Sequence, residues 1–246
     1  MKALLIDLDD TLLDYSGGVE ECWHHACEAL AGPVGIDPAH LVKAIGRTRR
    51  WFWSDPGRHR VERADMLRAW TRITEHALGT MGRPDEALAA AIAEDFAERR
   101  WERMTLFPGV VTALETLRGR GLPMALVTNG DAAHQRRKIA QHDLARFFDV
   151  IVIEGEMGVG KPEEVVYRYA LSHLRVKADE AWMVGDHLEW DVQAPQRLGL
   201  RGVWIDAPGY GLPQSCDPVP HRIIRIFPEL LEPPTGPTST ATPSAG

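Results

Sequence analysis

Five short apolar runs constrain this chain more than any other feature: Ala3 to Ile6, Met124 to Val127, Val150 to Ile153, Trp182 to Val184 and Gly202 to Ile205. Each reads as a buried strand. Between the later four lie stretches with helical spacing, Ala132 to Gln141, Glu163 to His173 and Glu189 to Leu198, the last closed by Gly199. A further helix, Val110 to Arg118, enters after Pro108, ends at Gly119 and Gly121, and leads straight into the second strand. Alternating strands and helices predict an α/β fold built on a parallel sheet, Rossmann-like in kind.

The interval between the first strand and Pro108 breaks that rhythm. It offers no strand candidate, but helix-like segments recur around Glu20 to Ala31, Arg63 to Leu78 and Asp85 to Arg103. This is the pattern of an inserted all-helical domain, over residues 15–104, within an α/β core formed by residues 1–14 and 105–232. Open parallel sheets bind ligands in the crevice at the carboxyl ends of their strands, and the insertion leaves from such an end, so it should cover the site. Residues 233–246 are nearly all Pro, Thr, Ser, Gly and Ala, too poor in apolar side chains to offset the entropy of ordering, and read as a disordered tail.

Composition narrows the partners. With 44% hydrophobic and 26% charged residues, the chain has the make-up of an ordinary globular protein. No apolar run approaches membrane-spanning length and the start lacks a secretory pattern, so a cytoplasmic location is expected. A net charge of -7 opposes attraction to nucleic acid or anionic membranes and points to a small-molecule partner. Cys22, Cys27 and Cys216 form no C-x-x-C pair, which argues against a disulfide framework and a structural zinc site. Oligomeric state is not legible.

Four of the five runs stop at residues capable of chemistry: Asp7, Thr128 with Asn129, Glu154, and Gly185-Asp186. In a parallel sheet these ends share one edge, so Asp7, Asp9 and Asp186 should crowd together. Two carboxylates about 4 Å apart repel by roughly 4 kcal/mol at an effective dielectric of about 20, so positive charge must sit among them. An all-oxygen donor set favours a hard cation, and magnesium takes one or two carboxylates, waters and a phosphate oxygen. Lys161, followed by Pro162, is a second candidate cation aimed from a loop.

Asp7-Leu8-Asp9-Asp10-Thr11, Thr128-Asn129-Gly130, Lys161-Pro162 and Gly185-Asp186 through Asp191 resemble, in order, the four motifs of the haloacid dehalogenase superfamily. The likeness runs to about Leu231, and the helical insertion resembles that superfamily's cap in its first-loop position. Leu126 to Lys138, Phe148 to Glu156, Trp182 to Asp191 and Pro218 to His221 look most like the N-acylneuraminate-9-phosphatase branch. The resemblance implies a phosphatase acting on a small phosphorylated metabolite. Asp7 would be the nucleophile, forming an aspartyl-phosphate, and Asp9 the proton shuttle. Thr128 would bind the phosphoryl group through its hydroxyl, and the backbone around Asn129 and Gly130 would complete the cradle. Lys161 would neutralise the phosphoryl oxygens. Magnesium would be held by Asp7, the Asp9 backbone carbonyl and Asp186, with Asp191 supporting Lys161 or a metal-bound water.

Alternatives in the same superfamily are a 5'-nucleotidase, a phosphoglycolate phosphatase-like enzyme, a phosphomutase and a haloacid dehalogenase. The dehalogenase is disfavoured because that branch resembles this chain except at the second aspartate, which it replaces. A non-catalytic phospholigand-binding protein has no use for Asp9. Outside the motifs, His24 and His25 beside Cys22 point in different directions on a helix and read as ordinary core or surface residues. Arg47, Arg49 and Arg50 before Trp51, Phe52 and Trp53 either grip an anionic or sugar-like substrate or form a solvated face over buried aromatics; the need of cap helices to bury aromatics favours the second. His187 and Glu189 read either as metal-site neighbours or as exposed residues at a helix start.

Overall fold

The computed structural model describes residues 1–233, so the expected tail lies, from 234 on, outside the described residues. Among the described residues six strands form one sheet: β1 (Ala3–Ile6), β2 (Met124–Thr128), β3 (Val150–Ile153), β4 (Ala181–Gly185), β5 (Arg201–Ile205) and β6 (Arg222–Ile224). Their order is β3-β2-β1-β4-β5-β6 and every pairing is parallel. The five expected strands are present within a residue at either end. The sixth is not among the expected runs, because Arg222–Ile224 has only two apolar residues at the sheet edge and one of them, Ile223, is exposed.

The chain steps outward from β1 through β2 to β3, then returns to place β4 on the other side of β1. That reversal opens a crevice at the carboxyl ends of β1 and β4. Register fixes what meets there: Ile6 pairs with Val184, and the Asp7 N–H donates to the Val184 carbonyl at 3.0 Å. Asp7 and Asp186 therefore leave the sheet side by side. A Cβ on Gly185 would run into the Asp191 carboxyl group, so glycine is what lets that carboxylate fold back over the strand end.

Between β1 and β2 come the helices α1 (Val19–Leu30), α2 (Pro38–Trp53), α3 (Pro56–Glu62), α4 (Met66–Thr80), α5 (Glu86–Arg103) and α6 (Val110–Gly119). Of these, α1, α2, α4 and α5 share a hydrophobic core of their own, in which Trp23 stacks on Phe96 with centroids 3.7 Å apart and Trp70 meets Phe96 edge-on at 5.0 Å. Asp37, Asp55, Asp65 and Asp85 each cap a helix by accepting from a backbone N–H inside its first turn. The helix expected to begin at Arg63 begins instead at Met66, because Asp65 caps it and α3 ends at Glu62.

After β2 follow α7 (Ala132–Gln141), α8 (Glu154–Met157), α9 (Glu164–Leu174) and α10 (Ala194–Arg197), with a π-helical turn over Leu188–Gln193. A single helix was expected over Glu189 to Leu198; Pro195 has no N–H to give the Asp191 carbonyl, and the ladder breaks into a wide turn and a short helix. Two further apolar clusters cover the two faces of the sheet. Among the described residues no helix is long and apolar enough to cross a membrane.

Candidate active site

Asp7 leaves β1 buried, with a relative exposure of 6%. One of its carboxylate oxygens accepts from Lys161 Nζ at 2.6 Å and the other from the Thr11 hydroxyl at 3.2 Å. Lys161 also donates to Asp191 Oδ1 at 2.7 Å, so one ammonium bridges two carboxylates. The second oxygen of Asp191 accepts from the His187 N–H at 3.0 Å. Asp186 completes the group: Asp7, Asp186 and Asp191 each present a carboxylate oxygen within 4.8 Å of the others. The carbonyl of Asp186 is held by the Trp204 indole N–H at 2.8 Å, which ties the turn to β5.

Three carboxylates around one ammonium leave a deficit of two positive charges. The electrostatics carry that mark. Asp7 is pushed up from 3.8 to about 7, chiefly by burial, with Asp191 adding to the shift and Lys161 opposing it. Asp186 is pushed up to about 9, again by burial first and then by the charges of Asp7 and Asp191. Burial alone would lower the Lys161 ammonium, but Asp191 and Asp7 outweigh it and hold the group charged. An all-oxygen cluster short of two positive charges fits a hard divalent cation. Nothing comparable forms at Cys22, His24 and His25: Cys22 is buried, His24 pairs with Glu28 at 3.1 Å and His25 is exposed.

Asp9 points elsewhere. Lys138 Nζ lies 2.8 Å from each of its oxygens, and Gln135 Nε2 lies 3.0 Å from one. The same amide nitrogen is 2.6 Å from the Thr128 hydroxyl and 2.9 Å from the Asn129 carbonyl. Gln135 and Lys138 are buried on one face of α7, three residues apart, and no motif singles them out. The available signal was a pair of polar residues at helical spacing on a helix that starts at the sheet's active edge.

Asn129 and Gly130, expected beside the phosphoryl group, make further contacts. The Asn129 side chain accepts from the Lys161 N–H and donates to the Lys161 carbonyl, both at 2.8 Å, so it locks the lysine's backbone. Gly130, at φ +118, gives its N–H to Glu154 Oε2 at 2.9 Å, so the donor assigned to a phosphoryl cradle is directed at a carboxylate here. Glu154, which the sequence marks only as a polar residue at a strand end, is the acceptor.

Asp7, Asp9, Thr128, Lys161, Asp186 and Asp191 line one cavity of about 910 Å³ between the sheet edge and the helical insertion. That is ample for a metabolite-sized ligand, since such pockets run roughly 300 to 1,000 Å³. Trp53, His59, Trp190 and His187 form a run of adjoining rings along it, with successive centroids 5.3, 5.7 and 3.9 Å apart. The basic and aromatic stretch of α2 is therefore divided. Arg49 and Trp53 face the cavity and Phe52 is buried, while Trp51 is half exposed under Arg58. Arg49 is paired to Glu20 at 2.6 Å. His187 lines the cavity, whereas Glu189 pairs with Arg197 at 2.5 Å.

Residues 1–199 match the family model of the haloacid dehalogenase-like hydrolases. Over 228 residues, covering 84% of this chain and 89% of the relative, the sequence is 34% identical to a phosphoserine phosphatase of Thermus thermophilus. It is 36% identical to the human N-acylneuraminate-9-phosphatase, but over 132 residues only, 53% of this chain and 52% of that enzyme. Among solved structures, a 2-haloacid dehalogenase from Pseudomonas syringae superposes with a TM-score of 0.62 at 27% identity, covering 94% of this chain and 96% of that one.

Proposed function

As this chain belongs to the haloacid dehalogenase-like hydrolases, we propose that it is a magnesium-dependent phosphatase that hydrolyses a small phosphomonoester through an aspartyl-phosphate on Asp7. The observation that carries the reading is the meeting of Asp7, Asp186 and Asp191 around Lys161, with Asp9 two residues beyond the nucleophile. Asp7, Asp186 and the Asp9 backbone carbonyl would hold the ion, and Asp191 would keep Lys161 in place. Bound magnesium supplies the charge that polarises the phosphoryl oxygens.

In the first displacement a carboxylate oxygen of Asp7 bonds to phosphorus as the bond to the alcohol oxygen breaks. Asp9 gives that oxygen a proton. In the second, Asp9 takes a proton from water, whose oxygen attacks the same phosphorus and returns Asp7 as a carboxylate with release of phosphate. Lys161 keeps the nucleophile fixed and offsets charge on the phosphoryl oxygens, while Thr128 orients them through its hydroxyl. Lys138 and Gln135 hold Asp9 against α7, at the cavity wall where the leaving oxygen must pass. Dehalogenation needs no proton for its leaving halide, so this investment in Asp9 supports the phosphatase over the dehalogenase.

The helical segment over 15–104 would act as the cap, closing the site and choosing the substrate with residues such as Trp53, His59 and Trp70. A cavity of this size with ring-bearing walls suits a sugar phosphate such as N-acylneuraminate 9-phosphate better than a two-carbon acid. The test is phosphate release from a panel of phosphorylated sugars, nucleotides and small acids, with magnesium and with chelator. We expect magnesium-dependent release from at least one class; silence across the panel refutes the reading. For Asp9→Asn, kcat should fall about 10²- to 10⁴-fold, the usual share of general acid-base catalysis. A rate near wild type would remove the shuttle.

Metal binding should depend on pH in a fixed direction. Without metal, Asp7 and Asp186 lie above their ordinary 3.8, so the native state binds more protons than the unfolded one. The stability this contributes is complete below pH 3.8 and is lost as pH rises through about 7 and then about 9. Magnesium must displace those protons. The Tm of chelated protein should therefore fall from about pH 6 to about pH 9, and the rise in Tm on adding magnesium should grow over the same range. A magnesium-induced shift that shrinks with rising pH would contradict this.

A further inference from the structure

Two ion pairs join the helical segment to the sheet domain among the described residues: Arg60 with Glu163 at 2.8 Å and Arg63 with Glu154 at 2.5 Å. They differ in kind. The Arg60 and Glu163 side chains are 65% and 49% exposed, a setting in which an ion pair contributes little. Those of Arg63 and Glu154 are 12% and 17% exposed, and both Nε and Nη2 of Arg63 reach the same glutamate oxygen, at 3.1 and 2.5 Å. The Arg63 guanidinium also lies 5.1 Å from the centre of the Trp190 ring, on the turn that follows Asp186.

The other oxygen of Glu154 accepts from the Gly130 N–H at 2.9 Å, and the Gly130 carbonyl accepts from the Gly155 N–H at 3.0 Å. Gly130, with its left-handed φ, is the turn that directs Thr128 and Asn129 into the cavity. Any side chain at Gly160, the residue before Lys161, would collide with the Glu154 carboxyl group and with Asn129. A single carboxylate thus touches the turn after β2, packs on the loop carrying Lys161, and is gripped by an arginine from the helical segment.

Resting on the phosphatase reading, we propose that Arg63 and Glu154 are positioning residues that make closure of the helical segment and shaping of the phosphoryl-binding turn one event. Arg63 holds one oxygen of Glu154 so that the other stays aimed at Gly130, and it can do so only when its segment is seated on the core. With the segment lifted away, the Gly130 turn loses its anchor and Thr128 its fixed direction. The bound phosphoryl group is then held tightly only under a closed cap, which keeps bulk water from the intermediate until the alcohol has left.

Inorganic phosphate separates this role from a plain substrate contact, because it fills the phosphoryl position and is too small to span the cavity. Its binding to magnesium-loaded protein is measured by calorimetry for wild type, Arg63→Met, Glu154→Gln, the double variant and Arg60→Met. We expect Arg63→Met and Glu154→Gln each to weaken phosphate about fivefold or more, the double variant to be no weaker than the worse single, and Arg60→Met to stay within about twofold. Arg63→Lys, which keeps the charge, should recover part of the loss. Unchanged phosphate affinity in Arg63→Met overturns the proposal, as do losses that multiply in the double variant or an equal loss in Arg60→Met. If wild type neither binds phosphate nor releases it from any substrate, the phosphatase reading itself has failed; if wild type binds and the variants bind equally, only this inference has.

Discussion

Asp7→Asn should lose turnover by on the order of 10⁵- to 10⁶-fold with the fold intact, the scale expected when a covalent nucleophile is removed. The amide has nearly the shape of the carboxylate: its oxygen can still accept from Lys161, and its NH2, standing where the second oxygen accepted from Thr11, can donate to that hydroxyl instead. It cannot displace an alkoxide from phosphorus. Folding should not suffer, because Asp7 is a buried carboxylate whose charged form is opposed by burial and by Asp191. Removing that charge relieves a cost, so the chelated variant should melt at or above the wild-type temperature near pH 8. Steady-state phosphate release and thermal melting check both halves, and activity within about tenfold of wild type would take the nucleophile's role from Asp7.

Lys161→Met should fail in both respects. The ammonium is 1% exposed and bridges Asp7 and Asp191, so its loss leaves two buried carboxylates facing each other with no counter-charge. Breaking a buried ion pair in this way costs about 3 to 5 kcal/mol. The loss should be largest at alkaline pH, where the carboxylates cannot escape by taking up protons, and magnesium should restore part of it. On the proposed mechanism the variant also lacks a fixed charge beside the phosphoryl oxygens, which should cost about 10²- to 10³-fold in kcat. Melting curves with chelator and with magnesium, beside kcat, measure both effects. A variant as stable as wild type at pH 8 without metal would show that Lys161 does not neutralise the cluster.

Much of this arrangement is legible in the residues because strand ends in a parallel sheet have nowhere else to go. Ala3 to Ile6 and Trp182 to Val184 are long enough to be seen as strands, and their adjacency follows once Asp7 and Asp186 are taken as neighbours. The helical insertion shows through the absence of strand candidates. Two of its helices, α2 and α3, are not among the expected segments, although Asp37-Pro38 and Asp55-Pro56 carry the signature of a capping acid followed by proline at the first helical position.

The supporting residues were harder to find, for a physical reason. Lys138 and Gln135 act on Asp9 across more than a hundred residues of sequence, and only the seating of α7 against the strand ends reveals it. Glu154 was visible as a polar residue at a strand end, but its two partners, Gly130 and Arg63, belong to different parts of the fold. Motifs record what touches the reacting atoms; what holds those groups in place is written in long-range packing, which a single sequence does not display.

The proposed step on which the others depend is transfer of the phosphoryl group to Asp7. It is tested most directly in Asp9→Asn, mixed with magnesium and a phosphoryl-labelled aryl phosphate, whose phenolate leaves with little need of a proton. Intermediate should then accumulate, since water is no longer activated to release it. Acid quenching and peptide mapping should find the label as a base-labile acyl phosphate on the peptide that carries Asp7. Label on any other residue, or phosphate release with no labelled protein at any time point, would contradict the account.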